Sequence, residues 1–226
     1  MIEVCRTIGT PPSGSSPCSR TAGATPAGSS APPTSGPGRK RFARSLDLRQ
    51  PPGVIETRVL TEGDWKMWRD LRLAALTEAP YAFGSQLADW QGDGDREDRW
   101  RARLAIPGSY NLVAILDGQP VGMASGVPTD QEGVVELISM YVAPVGRGRG
   151  VGDHLLHAVE QWARQVGAGT LRLAVVEGNR NAWALYQRHD FHDTGELGDL
   201  MPDGIRREHV MVKRLGDISG SLRARW

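Results

Sequence analysis

A chain of 226 residues has room for one domain with an appendage, and 27 Lys+Arg against 26 Asp+Glu leave it near neutral. Nothing global therefore argues for nucleic acid or a membrane surface as partner. An apolar share of 39% beside 28 Gly and 15 Pro is low for a uniformly folded chain, and no apolar run approaches the ~20 residues of a membrane span.

The start, MIEVCRTIGTPPSG, lacks the basic and apolar regions of a secretory signal. Cys5 and Cys18 are the only cysteines, which excludes a disulfide framework or zinc site for the main domain and makes a reducing cytoplasm the simplest compartment. Residues 1–53, with stretches such as TPPSGSSPCSR and AGSSAPPTSGPGRK, carry almost no large apolar groups. They cannot bury enough area to offset chain entropy, so a disordered low-complexity tail is expected. The cluster Arg39-Lys40-Arg41 with Arg44 reads as a nucleic-acid or acidic-surface contact or as a solvated tail, and its shortness favours the tail.

Order is expected over 54–215. Ile55 to Leu60 alternates like a first strand, and Thr61 with Asp64 makes a capping-box-like helix start. Trp65, Trp68, Leu71, Leu73, Ala75 and Leu76 form the apolar stripe of that helix. Pro80 stops it, and a polar helix is expected around Asp95 to Leu104. Asn111 to Leu116 reads as a strand, Asp117-Gly118 as a type I′ turn and Pro120 to Ser125 as the return strand. Val134 to Val142 is the next strand, its apolar run interrupted by Glu136. A glycine-dense turn follows, then a helix with Val151, Leu155, Val159, Trp162 and Val166 on one face. Leu171 to Val176 is a strand at parallel-crossover distance, a helix follows Asn179, and His209 to Val212 closes the fold. Residues 216–226 form a peripheral tail.

The turn between the third of these strands and its helix carries the chemistry. The first N–H groups of a helix lack partners within it and sit at its positive dipole end. Glycines let an anion approach that backbone, and Arg147 and Arg149 add charge, so a phosphate or pyrophosphate suits the place. A P-loop fails for want of Lys-Ser/Thr, and G-x-G-x-x-G fails because its third glycine falls on Val151 or Asp153. The run Arg147-Gly148-Arg149-Gly150-Val151-Gly152 instead resembles the acetyl-CoA pyrophosphate loop of the GNAT acetyltransferase superfamily. A second stretch resembles the same family: Asn179, Ala182, Leu185, Tyr186 and Phe191 match Asn-x-x-Ala-x-x-Leu-Tyr-x-x-x-Gly-Phe. Asp190 stands where the family has Gly, a mild departure because Asp tolerates a left-handed backbone. Leu71-Arg72 and Pro80 to Gly84 look like the opening of many small-molecule members.

The resemblance covers roughly Ile55 to Leu215. It implies an α/β fold of GNAT type, a mixed, mostly antiparallel central sheet flanked by helices on both faces and splayed between the fourth and fifth strands. It implies acetyl transfer from acetyl-CoA, without a metal, to a primary amine by direct attack in a ternary complex. Backbone groups of Met140, Tyr141 and Val142 would pair with the pantetheine arm, and Arg147 to Gly152 would take the pyrophosphate. Asn179 would bond the cofactor or cap the following helix.

Tyr186 is the candidate general acid for the leaving thiolate, a ring merely packed on core or cofactor being the alternative. Glu136 is the candidate base, or else a solvent-facing strand residue. His154, His157 and His189 read as exposed polar groups rather than catalysts or metal ligands. Partners are acetyl-CoA and an amine acceptor, a small molecule rather than a protein, with a monomer or homodimer expected. The acceptor would be chosen by Leu76–Trp90 and by a Gly195–Arg207 loop whose Glu196, Asp199 and Asp203 either attract a cationic amine or are simply solvated. A module that binds acetyl-CoA without turnover is the rival reading.

Overall fold

A computed structural model of the chain describes residues 53–216. The expectations for the N-terminal tail with its basic cluster and cysteines, and for the C-terminal tail, fall on residues 1–52 and 217–226, outside that range.

The elements run β1 (Ile55–Val59), α1 (Trp65–Glu78), α2 (Glu97–Leu104), β2 (Tyr110–Leu116), β3 (Gln119–Pro128), β4 (Val134–Val142), α3 (Val151–Gln165), β5 (Thr170–Val176), α4 (Arg180–Arg188), β6 (His192–Leu200) and β7 (Arg207–Arg214). One seven-stranded sheet has the order β1-β2-β3-β4-β5-β7-β6. Its pairs are antiparallel except β4–β5, as βαβ connection through α3 requires.

Local chemistry sets the boundaries. Asp64 accepts from the Thr61 backbone N–H at 2.9 Å and opens a 3₁₀ turn, Glu62–Asp64, that leads into α1. Asp117 and Gly118 have φ of 53° and 77°, the two positive values a type I′ hairpin needs. The α1 stripe buries Trp68, Leu71, Ala75 and Leu76, and also Arg72, while Trp65 and Leu73 are only half-buried. Asp190, at φ 63°, takes the left-handed backbone expected of it.

Two cores cover the sheet, one on each face. Leu155, Leu156, Val159 and Trp162 of α3 pack on Leu112, Leu137, Met140 and Val142. Trp68 and Leu76 of α1, with Trp100 and Leu104 of α2, pack on Val113, Met123 and Tyr141. Each fully buried large apolar side chain contributes about 1.5–3 kcal/mol, so both faces hold the sheet rigidly beneath whatever binds at its edges. Trp162 lies over Gly126, where an added Cβ would come within 2.3 Å of the ring, and stacks on Tyr110 at 5.5 Å.

β4 is irregular in a way that matters. Ser139 has φ 55°, and the β3 register shifts there, from Ser125↔Ile138 to Met123↔Tyr141. This is a bulge, which bends the strand and increases its twist. Pairing of β4 with β5 covers only Val134↔Thr170 to Glu136↔Arg172. Beyond Glu136 the two strands part.

One expectation is corrected at the C-terminal side. The Gly195–Arg207 segment is not a loop. Gly195 to Leu200 belongs to β6 and Arg207 to β7, so only residues 201–206 turn, closed by Met201 N–H donating to Arg206 O at 2.8 Å. The strand is exposed along almost its whole length. It is held by backbone pairing with β7 rather than by apolar burial.

Candidate active site

The glycine run lies between a 3₁₀ turn, Pro144–Gly146, and α3. Gly148 and Gly150 have φ of 67° and 83°, values that cost an L-residue with a side chain about 1–2 kcal/mol. No atom lies within 4 Å of a Cβ built on Gly148, and only Ile55 Cδ1, at 3.9 Å, approaches one on Gly150. Packing inside the chain therefore does not demand these glycines. The backbone turn does, and it leaves the space above it open.

That space is a cavity of about 510 Å³ lined by Val142, Gly146 to Gly148, Gly150 to Asp153, Asn181, Ala184 and Arg188. Gly150 caps α3 in the left-handed conformation, so the unbonded N–H groups of the first helical turn face this hollow, at the end where anions are favoured. Open backbone donors of this kind suit an anion.

The arginines are arranged differently from the expectation. Arg147 does not stand over the hollow as a loose charge. Its Nε donates to Val142 O at 3.0 Å and its Nη2 to Glu78 Oε1 at 2.5 Å, while the Tyr141 phenol donates to Glu78 Oε2 at 2.7 Å. One carboxylate at the end of α1 thus ties together the last turn of β4 and the start of the loop. Burial alone would raise the Glu78 pKa, but the Tyr141 and Arg147 hydrogen bonds outweigh it and hold the carboxyl below its usual range. Arg149 reaches Asp117 in the β2–β3 turn at 3.1 Å.

Arg188, which reading the sequence missed, borders the hollow together with Arg147. It bonds Asp153 through Nε at 2.9 Å and Nη2 at 3.0 Å, and His189 Nε2 meets the same carboxylate at 2.8 Å. His189 thus joins α4 to the first turn of α3 instead of standing as an exposed polar group. Asn179 caps α4, its Oδ1 accepting from Ala182 N–H at 3.3 Å, while Asn181 lines the cavity.

Met140, Tyr141 and Val142 are all buried. Met140 and Val142 point into the α3-side core and Tyr141 into the other, so their backbone groups lie in the stretch of β4 that β5 no longer covers. Tyr186 is fully buried among the α3-side core residues, its ring 5.8 Å from that of Phe191.

Glu136 is not the solvent-facing strand residue that formed one of the two readings. It is 3% exposed, and Arg172 of β5 stands 3.8 Å away. It occupies the last β4–β5 pair, at the point of divergence, on the face opposite Leu137 and Met140. Arg172 also approaches Glu196, at 3.4 Å. Asp203 accepts from the backbone of Ile205 and Arg206 and from Arg206 Nε, which brings its pKa to about 2, and so serves its own turn. Among the described residues no cluster of three His, Cys, Asp or Glu could hold a metal, and no helix is long and apolar enough to cross a membrane.

A family model, the acetyltransferase (GNAT) family, matches residues 65–191, more than half of the chain. An IAA acetyltransferase of Azospirillum brasilense is 34% identical over 102 residues, 45% of this chain and 67% of the relative. The uncharacterized N-acetyltransferase YhfO of Bacillus subtilis (strain 168) is 33% identical over 128 residues, 54% of this chain and 84% of that one. Among solved structures, the paia N-acetyltransferase from Thermoplasma acidophilum, in complex with coenzyme A, shares the fold with a TM-score of 0.55 at 18% identity, over 71% of this chain and 99% of the other.

Proposed function

The chain belongs to the acetyltransferase (GNAT) family, and from that premise we propose that it transfers the acetyl group of acetyl-CoA to a primary amine by direct attack in a ternary complex. The observation that carries this reading is the pair of left-handed glycines, Gly148 and Gly150, opening the start of α3 onto a hollow beside the unpaired stretch of β4. A pyrophosphate on the α3 amides and an extended arm along Leu137 to Val142 would both find unsatisfied backbone donors and acceptors there. Acetyl-CoA bound in this way supplies an activated thioester.

The chain's own groups supply the proton transfers. The ring of Tyr186 belongs to the α3-side core, whereas Glu136 faces the other side of the sheet where β4 and β5 separate. Donor and acceptor thus approach from opposite faces, with a phenol near one and a carboxylate near the other. In this reading the Tyr186 phenol gives its proton to the departing thiolate and regains one from solvent. Glu136 takes the proton that the acceptor ammonium must lose before its nitrogen can attack. Backbone N–H groups of Met140 and Tyr141 would stabilise negative charge developing on the carbonyl oxygen.

The test is release of free thiol from acetyl-CoA across a panel of primary amines, with cofactor binding followed separately by calorimetry. Tight binding of acetyl-CoA with no release for any amine would leave the protein a sensor rather than an enzyme. Competition by coenzyme A but not by ATP or NAD separates the site from other nucleotide sites.

A further inference from the structure

One charged side chain on the α1–α2 face has no part in the proton transfers. Arg103, on α2, reaches across three strands: Nη1 donates to Asn111 Oδ1 at 3.1 Å, and Nη2 donates to Ser125 Oγ at 3.1 Å and Ser139 Oγ at 3.2 Å. Its guanidinium lies 5.1 Å from the centre of the Trp68 ring. Every one of these partners is neutral, so they orient the guanidinium and leave its charge uncancelled.

Burial, with a smaller contribution from the positive charge of Arg72, pulls the Arg103 pKa down to about 9, so the group remains charged at neutral pH. Yet the residue as a whole is only half-buried. Asn111 is itself held from behind, its amide donating to Leu104 O at 3.1 Å and Ser109 Oγ at 2.9 Å. The cluster is thus preorganised, and Ser139 places it at the bulge of β4, on the same strand as Glu136.

We propose that Arg103, set by Asn111, Ser125 and Ser139, is a carboxylate-binding subsite for the acceptor, which is therefore an amine that also carries a carboxylate. The inference rests on the acetyl-transfer reading and narrows its acceptor class. The Nε–H and one Nη1–H of Arg103 remain for a carboxylate oxygen, and a guanidinium already fixed by three hydrogen bonds needs little ordering to bind it. An acceptor lacking that group would leave the charge uncompensated.

The experiment compares ω-amino acids of increasing length with n-alkylamines of matched length, in wild type, Arg103→Gln and Arg103→Lys, by thiol release. It also titrates the matching alkyl monocarboxylates into each protein saturated with coenzyme A. The expected result is at least a tenfold higher kcat/KM for the best amino acid than for its alkylamine. That ratio should fall tenfold or more in Arg103→Gln and recover partly in Arg103→Lys, with carboxylate binding lost in parallel. Equal kcat/KM for acids and alkylamines in wild type overturns the subsite. So does an Arg103→Gln that slows both substrate types alike while lowering the melting temperature, which would make Arg103 only a latch for α2. If no amine releases thiol but monocarboxylates bind wild type and not Arg103→Gln, acetyl transfer fails and the subsite stands.

Discussion

Replacing Gly150 by valine separates the ligand role of the loop from its role as a turn. Gly150 sits at φ 83° and ψ 3°, so any side chain costs about 1–2 kcal/mol, and a β-branched one lies at the upper end. No clash adds to this, because the nearest atom to a new Cβ is Ile55 Cδ1 at 3.9 Å. For a domain of this size the strain lowers the melting temperature by roughly 2–8 °C. The isopropyl group also borders the hollow over the first α3 amides. Losing one or two charge-assisted amide contacts there, at about 1.5–3 kcal/mol each, weakens acetyl-CoA binding by at least tenfold. Gly167→Val is the control: φ is 79°, no atom lies within 4 Å of the added Cβ, and the residue lies just past the other end of the same helix, roughly 25 Å away. Calorimetric titration of acetyl-CoA, with thermal melts, should show similar instability in both variants and weakened binding in Gly150→Val alone. Wild-type affinity in Gly150→Val would refute the cradle.

Tyr186→Phe should lower kcat by about 10²-fold or more while the acetyl-CoA dissociation constant stays within roughly threefold. Equal losses in both would reduce the phenol to packing. Glu136→Gln should lower turnover and remove the acidic limb of the pH profile, and an unchanged limb would exclude it as the base. Glu78 has a folded-state pKa below its unfolded one, so its contribution is present at neutral pH and disappears as pH falls through the folded value. Glu78→Gln should then cost about 1–2 kcal/mol near pH 7, the hydrogen-bond value reduced for partial exposure, and the gap to wild type should close on acidification below about pH 4. Thermal melts across that range check it, and a constant gap contradicts the ionic account. In Gly126→Ala the new methyl group lies 2.3 Å from Trp162 Cζ3, an overpacking that costs about 1–3 kcal/mol in urea unfolding. An unchanged urea midpoint would show that the indole yields freely.

What could be read from the sequence followed from local pattern. β4 spans the predicted Val134–Val142 because its apolar run is bounded by glycine and proline. The glycine turn was legible because its spacing is local, and Asp190 because its place in a motif asks for one backbone conformation. The Gly195 to Leu200 part of β6 reads as loop because it shows no apolar alternation, as an exposed edge strand need not. The partners of Glu136, Arg147 and Asp153 lie 35 to 69 residues away along the chain, and no periodicity signals pairings of that range. The Ser139 bulge was hidden too, since an isolated serine in an apolar run carries no signal for a positive φ.

Glu78 has one more consequence. It is the last residue of α1, inside the Leu76–Trp90 segment expected to choose the acceptor, and its carboxylate holds Arg147, the first residue of the glycine loop. An acceptor bound against Leu76–Trp90 and acetyl-CoA bound on the Arg147–Gly152 loop would both act on this ion pair, which would link the two binding equilibria thermodynamically. Whatever factor the donor adds to acceptor affinity, the acceptor must return to the donor. In wild type the measured acetyl-CoA affinity should depend on whether a non-reactive acceptor analogue is present. In Glu78→Gln that dependence should vanish, leaving two sites that fill at random.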